Sequence, residues 1–379
     1  MVGRLAIAAA LLAVAGCAST GETTNEAPIE PTSTGAAAQG DEDCELYWYQ
    51  RGTDQTRAIW QNFRLSDDSA ILGAGPGAGP LPFRPAVQSF SLLLDSVGNF
   101  WRKDLAVEAV AAFFRDFSAR YPGRAAEADN GDLLWWAIAC MRASRITNDK
   151  FYHLEGKAIY DRLWGTQVDN ALDGGMWSRG DVHDEKGAEV NFAAAIAALE
   201  LYAGTKDVKY LLQGRKLYAW AADRLYSPET GELADCLTAG GETRRGEAAR
   251  RSGAFIGASL RLYRATGTRM YLVNASAAAD RLVDVQSAHG VLRPDAHQGG
   301  ARCSGTAVRY LSELARRPSC ARYREYLLSN SRAAWTSRRL ADGLNGPDWS
   351  KPPTDAETIE PSSPLAAAML YFATSRAFR

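Results

Sequence analysis

Three segments of this chain repeat one short pattern, in which a helix-like stretch runs into a polar turn and the next stretch opens with an aromatic residue. They are Arg145–Tyr152, Tyr202–Tyr210 and Tyr263–Tyr271, and their final tyrosines are 58 and 61 residues apart. A period near 60 residues, with two helices in each repeat, is typical of an array of helical hairpins. This repeat constrains the possible fold more than any other feature of the sequence.

The stretches that flank the turns have the apolar spacing of helices rather than of strands. Those before the turns are rich in alanine and leucine: Leu134–Arg142, Phe192–Tyr202 and Ala254–Tyr263. Those after the turns are amphipathic: Tyr152–Leu163, Tyr210–Leu225 and Tyr271–Val285. Roughly 335 residues at a period of about 58 give close to six hairpins, whereas the repeats of open solenoids usually run from about 33 to 47 residues. We therefore predict an all-α fold, an (α/α)6 toroid of six helical hairpins, with at most a minor sheet.

The N-terminus has the pattern of a bacterial lipoprotein signal. Arg4 precedes an apolar run, Leu5–Ala15, which is too short to span a bilayer as a mature helix and leads through small residues to Cys17. This pattern predicts a lipid on Cys17 that anchors the mature chain to a membrane; an ordinary secretory signal cleaved nearby is the alternative. Both predict export. We expect a lipid-anchored protein of the bacterial cell envelope, in the outer membrane or periplasm, and the absence of an acidic residue directly after Cys17 favours the outer membrane.

The rest of the chain is predicted to form one domain. We expect residues 1–17 to be the signal peptide, residues 18–43 a flexible linker of small, polar and acidic residues, and residues 44–379 the toroid. No later low-complexity segment divides the body, and Gly73–Pro85 is predicted to be a loop between the first helices. No later segment is long and apolar enough to cross a membrane.

Composition excludes several classes of partner. The formal net charge of −1 gives nucleic acid no electrostatic support. The cysteines and histidines show no metal-ligand spacing, so we expect neither a metal nor a cofactor. The chain is expected to be a monomer.

The most chemically suggestive segment is Asp129-Asn-Gly-Asp132-Leu-Leu-Trp135-Trp136. Carboxylates beside indole rings can hold a sugar ring and act on its glycosidic oxygen. The alternative is an ordinary helix start, in which Asp129 caps the helix, Asp132 favours the positive end of its dipole and both tryptophans fill the core. In a toroid the loops at one end of the inner helices surround a central cleft. That position favours the functional interpretation.

Three further residues are candidates for sugar binding. Asp173 and Trp177 lie on a glycine-rich loop, where an exposed indole could stack on a pyranose or could instead pack within the turn. Asn191 begins an inner helix and could donate to a sugar hydroxyl or cap that helix. The charged segment with Glu247 and Arg250 is predicted to be a solvated face.

From about residue 95 to residue 375, the chain resembles the family-76 glycoside hydrolases, which are bacterial and fungal endo-α-1,6-mannanases with an (α/α)6 fold. The resemblance comprises the carboxylate-Trp-Trp helix and the segments 173–177, 186–191, 226–231, 253–257, 330–335 and 346–349. It implies an α-mannan-type polysaccharide or oligosaccharide as substrate. Another (α/α)6 sugar enzyme, such as an epimerase or an unsaturated-uronyl hydrolase, is an alternative, although those generally rely on histidines.

The resemblance also implies a retaining mechanism carried by two adjacent aspartates about three residues before the tryptophan. The second of these positions is Asp132, while the first is Gly131. We expect Asp132 to be the acid/base, Asp129 to be the candidate second carboxylate, and Trp135 with Trp136 to form the walls of the subsite. The glycine leaves a second function open, that of a catalytically degenerate glycan-binding lipoprotein of the cell envelope.

Overall fold

A computed structural model of the chain describes residues 37–65, 69–75, 78–98, 103–123, 128–295 and 301–379. Within these ranges there are twelve α-helices: α1 Ala37–Phe63, α2 Phe83–Val97, α3 Lys103–Arg120, α4 Asn130–Thr147, α5 Lys150–Gln167, α6 Ala188–Thr205, α7 Val208–Leu225, α8 Ala249–Thr266, α9 Arg269–Asp284, α10 Ala301–Ala315, α11 Ala321–Thr336 and α12 Ser362–Ala377. None of these helices has a stretch long and apolar enough to span a bilayer. The predicted signal peptide, with Cys17, and most of the predicted linker lie outside the described residues.

The helices form two concentric rings. The even-numbered helices make the inner ring, in which each contacts the next and α12 contacts α2 to close the circle. The odd-numbered helices pack outside, and α1 supplies the outer partner of α12. The predicted (α/α)6 toroid is confirmed.

Burial explains why the two rings have different compositions. Inner helix α6 is buried continuously from Val190 to Leu201, because it contacts neighbours on both sides as well as its own outer helix. Outer helix α5 buries only a stripe at helical spacing: Tyr152, Gly156, Tyr160 and Leu163. A helix that is apolar on all sides is one that is buried on all sides.

The repeated turns have one geometry. In each, a threonine in the last turn of the inner helix accepts from the backbone N–H two residues later at 3.2 Å, and the residue between them is left-handed. The threonines are Thr147, Thr205 and Thr266, and the left-handed residues are Asn148, Lys206 and Gly267. In the first two turns an aspartate then caps the outer helix. The sequence repeat is therefore a repeat of helix-stop and helix-start chemistry.

The strands are short, as predicted. Strands β1 (Glu185–Gly187), β2 (Cys236–Thr238) and β3 (Thr243–Arg244) form an antiparallel sheet in that order, with Lys186 opposite Leu237. Strands β4 (Ser287–Ala288) and β5 (Val291–Leu292) form a second, two-stranded pair. Because β1 runs directly into α6, the first sheet fixes where that inner helix begins.

The first helix begins before residue 44, the predicted start of the domain. Helix α1 begins at Ala37, inside the segment predicted to be linker, and Asp41 forms an ion pair of 3.3 Å with Arg324 of α11. Small and acidic residues suggested a flexible tether. They can nevertheless begin a helix here, because α1 packs against α12 and tertiary packing stabilises a helix.

Ion pairs join the inner helices toward the ends at which these helices finish. Asp95 of α2 is fully buried, and its oxygens lie 2.5 Å, 2.6 Å and 2.9 Å from guanidinium nitrogens of Arg142, Arg309 and Arg376. Burial raises the pKa of Asp95, but the three arginines outweigh that effect and hold it well below the ordinary value. A fourth arginine, Arg261, pairs with Glu200. Each of the six inner helices thus contributes at least one charged residue to these ion pairs.

Candidate active site

The opposite end of the toroid, where the inner helices begin, contains a cleft. The first turns of four successive inner helices supply charged residues to it: Arg84 from α2, Asp132 from α4, Glu189 from α6 and Arg250 from α8. The cleft has a deep cavity of about 40 Å³ and an outer cavity of about 310 Å³. Arg84, Glu189 and Arg250 line both cavities, so the two form one site.

Asp132 lies in the deep cavity, as the functional interpretation predicted. Its side chain is 11 % exposed, and its Oδ1 accepts from Nε of Arg84 at 2.5 Å. Burial, with smaller contributions from the nearby carboxylates of Glu189 and Asp129, raises the pKa of Asp132 to about 6 against the opposing effect of Arg84. A carboxyl group that keeps its proton to about pH 6 is suited to general acid catalysis.

Asp129 faces the same arginine from the outer cavity. It occupies the N-cap position of α4, yet its side chain makes no capping hydrogen bond. Its Oδ2 lies 3.8 Å from Nη2 of Arg84, and its side chain is 51 % exposed. Both predicted carboxylates therefore lie at the cleft, Asp132 within it and Asp129 at its rim.

The two adjacent tryptophans have different roles. Trp135 lines the deep cavity, and its indole N–H donates to Oε1 of Glu189 at 3.2 Å. Trp136 is fully buried and stacks on Phe117 with the ring centroids 3.8 Å apart. The prediction that Trp136 forms a wall of the subsite is wrong, because successive residues of a helix point about 100° apart and only Trp135 turns toward the cleft.

The glycine-rich loop does not bring its predicted residues into the cleft. Trp177 is 4 % exposed, donates from its indole to Asp169 at 2.7 Å and stacks on His183. Asp173 is exposed in a left-handed conformation and accepts from Arg224. Burial of Trp177 contradicts the stacking role predicted for it, while Asp173 lines neither cavity of the cleft.

Asn191 is also structural, because it is fully buried. Its Oδ1 accepts from the Met176 backbone N–H at 2.7 Å, and its Nδ2 donates to the carbonyls of Met176 at 3.1 Å and Gly187 at 2.8 Å. With its amide fully engaged, it cannot reach a sugar hydroxyl, so that prediction is wrong. The loop it holds in turn supports the site, since Asn130 at the start of α4 donates to the carbonyls of Trp177 and Ser178.

The cleft residues that sequence reasoning missed include the three that line both cavities, namely Arg84, Glu189 and Arg250. Arg84 falls at the end of the predicted first loop, and Arg250 was expected to be solvated. The repeat itself carries the signal that would have found two of them: Glu189 lies 57 residues after Asp132, and Arg250 lies 61 residues after Glu189. These intervals match the spacing of the turns, so each residue opens its inner helix.

The cleft therefore combines a protonatable carboxyl group, an ion-paired glutamate and an indole. Among the residues whose positions the structure describes, no group of three histidine, cysteine, aspartate or glutamate side chains is arranged to hold a metal ion. Such a combination can supply a proton to a glycosidic oxygen and pack against the apolar face of a sugar ring.

Solved structures resemble this fold closely. The α-1,6-mannanase from Salegentibacter sp. HEL1_6 is 24 % identical, with a TM-score of 0.80, over 87 % of this chain and 99 % of that one. A protein from Listeria innocua is 20 % identical, with a TM-score of 0.79, over 86 % and 96 % of the two chains. A family-76 glycoside hydrolase from a bovine Bacteroides thetaiotaomicron strain is 16 % identical, with a TM-score of 0.76, over 86 % and 77 %. These similarities show the shared fold.

One of these relatives has also been solved with a ligand. An inactive variant of the Salegentibacter enzyme, in which two consecutive aspartates are replaced by asparagine, is in complex with α-1,6-mannotriose. No curated protein sequence matches the chain. The model of glycosyl hydrolase family 76 matches residues 108–375, which is most of the chain and nearly the range of the resemblance seen in the sequence. The chain therefore belongs to glycosyl hydrolase family 76.

Proposed function

We propose that this protein is an exported glycoside hydrolase that cleaves α-1,6-linked mannose units within α-mannan-type glycans. The observation that carries the proposal is Asp132, a buried carboxyl group with a pKa of about 6 beside the cleft-facing indole of Trp135. Family membership and the α-1,6-mannanases of the same fold support the choice of substrate.

Asp132 would act as the general acid. Its proton passes to the glycosidic oxygen while the bond from that oxygen to the anomeric carbon breaks, and the bonding electrons leave with the oxygen. Trp135 offers an apolar surface for the sugar ring. Retention of configuration, which the family resemblance implies, then requires a second carboxylate on the opposite face of the ring, roughly 5 to 5.5 Å from the first.

Incubation with α-1,6-mannan tests this function. Wild-type protein is expected to release manno-oligosaccharides, and Asp132→Asn to release at least about 100-fold less, because it removes the proton donor. Asp173→Asn is the matched control, since it makes the same chemical change on an exposed loop outside the cleft. Equal product from wild type and Asp132→Asn would overturn the assignment of Asp132.

A second function has its own support: glycan binding without hydrolysis. It is favoured by Gly131, which stands where the family resemblance implies an aspartate, and by the 2.5 Å contact through which Arg84 holds Asp132. Calorimetric binding of α-1,6-mannotriose without any release of product from mannan would favour this function over the first.

Export and lipid anchorage form a separate part of the proposal. They are supported by the apolar run and the cysteine at the N-terminus. In a bacterial host, wild-type protein should be recovered with the membrane fraction and Cys17→Ser should not. Recovery of both in the cytoplasm would contradict this part of the proposal.

A further inference from the structure

We propose that Glu189 is the second carboxylate of this cleft and that it attacks the anomeric carbon in place of the aspartate that position 131 lacks. This assignment rests on the glycosidase function proposed above. It names a residue that belongs neither to the Asp-Trp-Trp segment nor to the pair of aspartates that the resemblance implies.

The position of Glu189 is the first argument. Among the described residues, five carboxylates line the cleft: Asp129, Asp132, Glu185, Glu189 and Asp235. Glu189 alone of these lines both cavities, so it borders the outer cavity together with Gly131 and the deep cavity together with Asp132 and Trp135. Asp129 lines only the outer cavity and is half exposed. Among these five, Glu189 is therefore the carboxylate that shares the deep cavity with Asp132.

The contacts of Glu189 are the second argument, because both of its oxygens are held. Oε1 accepts from the indole N–H of Trp135 at 3.2 Å, and Oε2 lies 2.8 Å from Nε of Arg250. The backbone is fixed as well, because Glu189 is the second residue of α6 and lies two residues after Gly187, the last residue of β1 to pair with β2. A reacting group needs this kind of fixed orientation.

The charge states of the two carboxyl groups fit complementary roles. Burial raises the pKa of Glu189, but Arg250, Arg84 and the Trp135 hydrogen bond outweigh it and hold the pKa below its ordinary value. The pKa of Asp132 is instead raised to about 6. Just below pH 6, Asp132 carries a proton while Glu189 is ionised, and these are the protonation states that a retaining glycosidase needs for its first step.

The two steps then balance. In the first, an oxygen of Glu189 forms a bond to the anomeric carbon as the glycosidic bond breaks, and the leaving oxygen takes the proton of Asp132. In the second, a water molecule gives a proton to ionised Asp132 and attacks the same carbon, and the ester bond to Glu189 breaks with its electrons returning to the carboxylate. Both residues regain their starting states.

The test compares Glu189→Gln with Glu313→Gln on α-1,6-mannan. Glu313 is a matched control, because it is similarly shielded and pairs with Arg264 at 3.0 Å but lies in the last turn of α10, at the other end of the toroid. We expect Glu189→Gln to lose at least about 100-fold in kcat. Glu313→Gln should keep the activity of the wild type within about threefold.

A chemical rescue separates a reacting carboxylate from a structural one. Glu189→Ala leaves room for azide, which would attack the anomeric carbon from the vacated side and yield a mannosyl azide of β configuration, detected by mass spectrometry and NMR. An active wild type together with an active Glu189→Gln, or Glu189→Ala with no azide adduct, would overturn the assignment and leave the hydrolase function standing. A folded wild type that releases no product would overturn both.

Discussion

Replacing Gly131 with aspartate would create two consecutive aspartates in the first turn of α4, the arrangement that the family resemblance implies. The structure has room for it, since a Cβ at Gly131 would meet no atom within 4 Å. Gly131 is the second residue of a helix, a position that any L-amino acid can adopt. The substitution therefore tests the chemistry of the cleft without a steric penalty.

The expected change in stability is small. Aspartate is a few tenths of a kcal/mol better than glycine in a helix, and a carboxylate in the first turn gains about 0.3 to 1 kcal/mol from the helix dipole. Repulsion from Asp132 and Glu189 opposes these gains, while Arg84 and Arg250 offset the repulsion. We expect the free energy of unfolding to change by less than about 1 kcal/mol, which moves Tm by no more than about 2 to 4 °C.

The Gly131→Asp substitution is most informative when it is combined with Glu189→Gln, which removes the proposed second carboxylate. We expect the double variant with Gly131→Asp and Glu189→Gln to hydrolyse α-1,6-mannan at least about tenfold faster than Glu189→Gln alone. The reason is that the new aspartate returns a carboxylate to the cleft wall beside Asp132. Gly131→Asn in the same background is the control, because it adds a side chain of the same shape without the charge. A folded double variant that hydrolyses no faster than this control would refute the reasoning.

Three further outcomes are expected. The pH profile of kcat/KM should be bell-shaped, falling above about pH 6 as Asp132 loses its proton and falling on the acidic side where Glu189 becomes protonated; a profile flat through pH 6 would contradict the acid role. Trp135→Ala should raise KM with little change in Tm, whereas Trp136→Ala should cost about 3 to 5 kcal/mol in chemical denaturation, and equal effects would contradict their separate positions. Asp95→Ala should lower the free energy of unfolding by about 3 to 5 kcal/mol, because it leaves three arginines without their shared partner; a loss below about 1 kcal/mol would contradict this.

The fold could be predicted because its determinants are local and repeated. Thr147, Thr205 and Thr266 end their inner helices with the same hydrogen bond. The helix before each threonine is apolar on nearly all sides, whereas the helix after it is apolar on one side. Such patterns can be recognised in a single sequence, because capping and amphipathic spacing involve residues that are close together in the chain. The helical residues at the end of the predicted linker could not be foreseen, because Asp41 pairs with Arg324, a residue far along the chain.

The site could be predicted only in part. Asp132, Asp129 and Trp135 were found from residue type, and all three reach the cleft. Residue type could not distinguish Trp135 from Trp136, because the distinction depends on which direction each side chain takes from α4.

Other misses have a common physical cause. Asn191 was expected at the ligand but satisfies backbone groups of a neighbouring loop, a contact that the sequence does not display. The pairs Arg84 with Asp132 and Arg250 with Glu189 join residues 48 and 61 positions apart. They exist only because the toroid brings the first turns of its inner helices together.

The most direct test of the central claim is proton NMR of the anomeric signals while the full-length protein acts on α-1,6-mannan. A cleft that uses Asp132 as the acid and Glu189 as the nucleophile predicts reducing ends released first in the α configuration, followed by slow mutarotation. Initial release of the β anomer would contradict the double displacement. Release of no sugar by the folded protein would contradict hydrolysis itself.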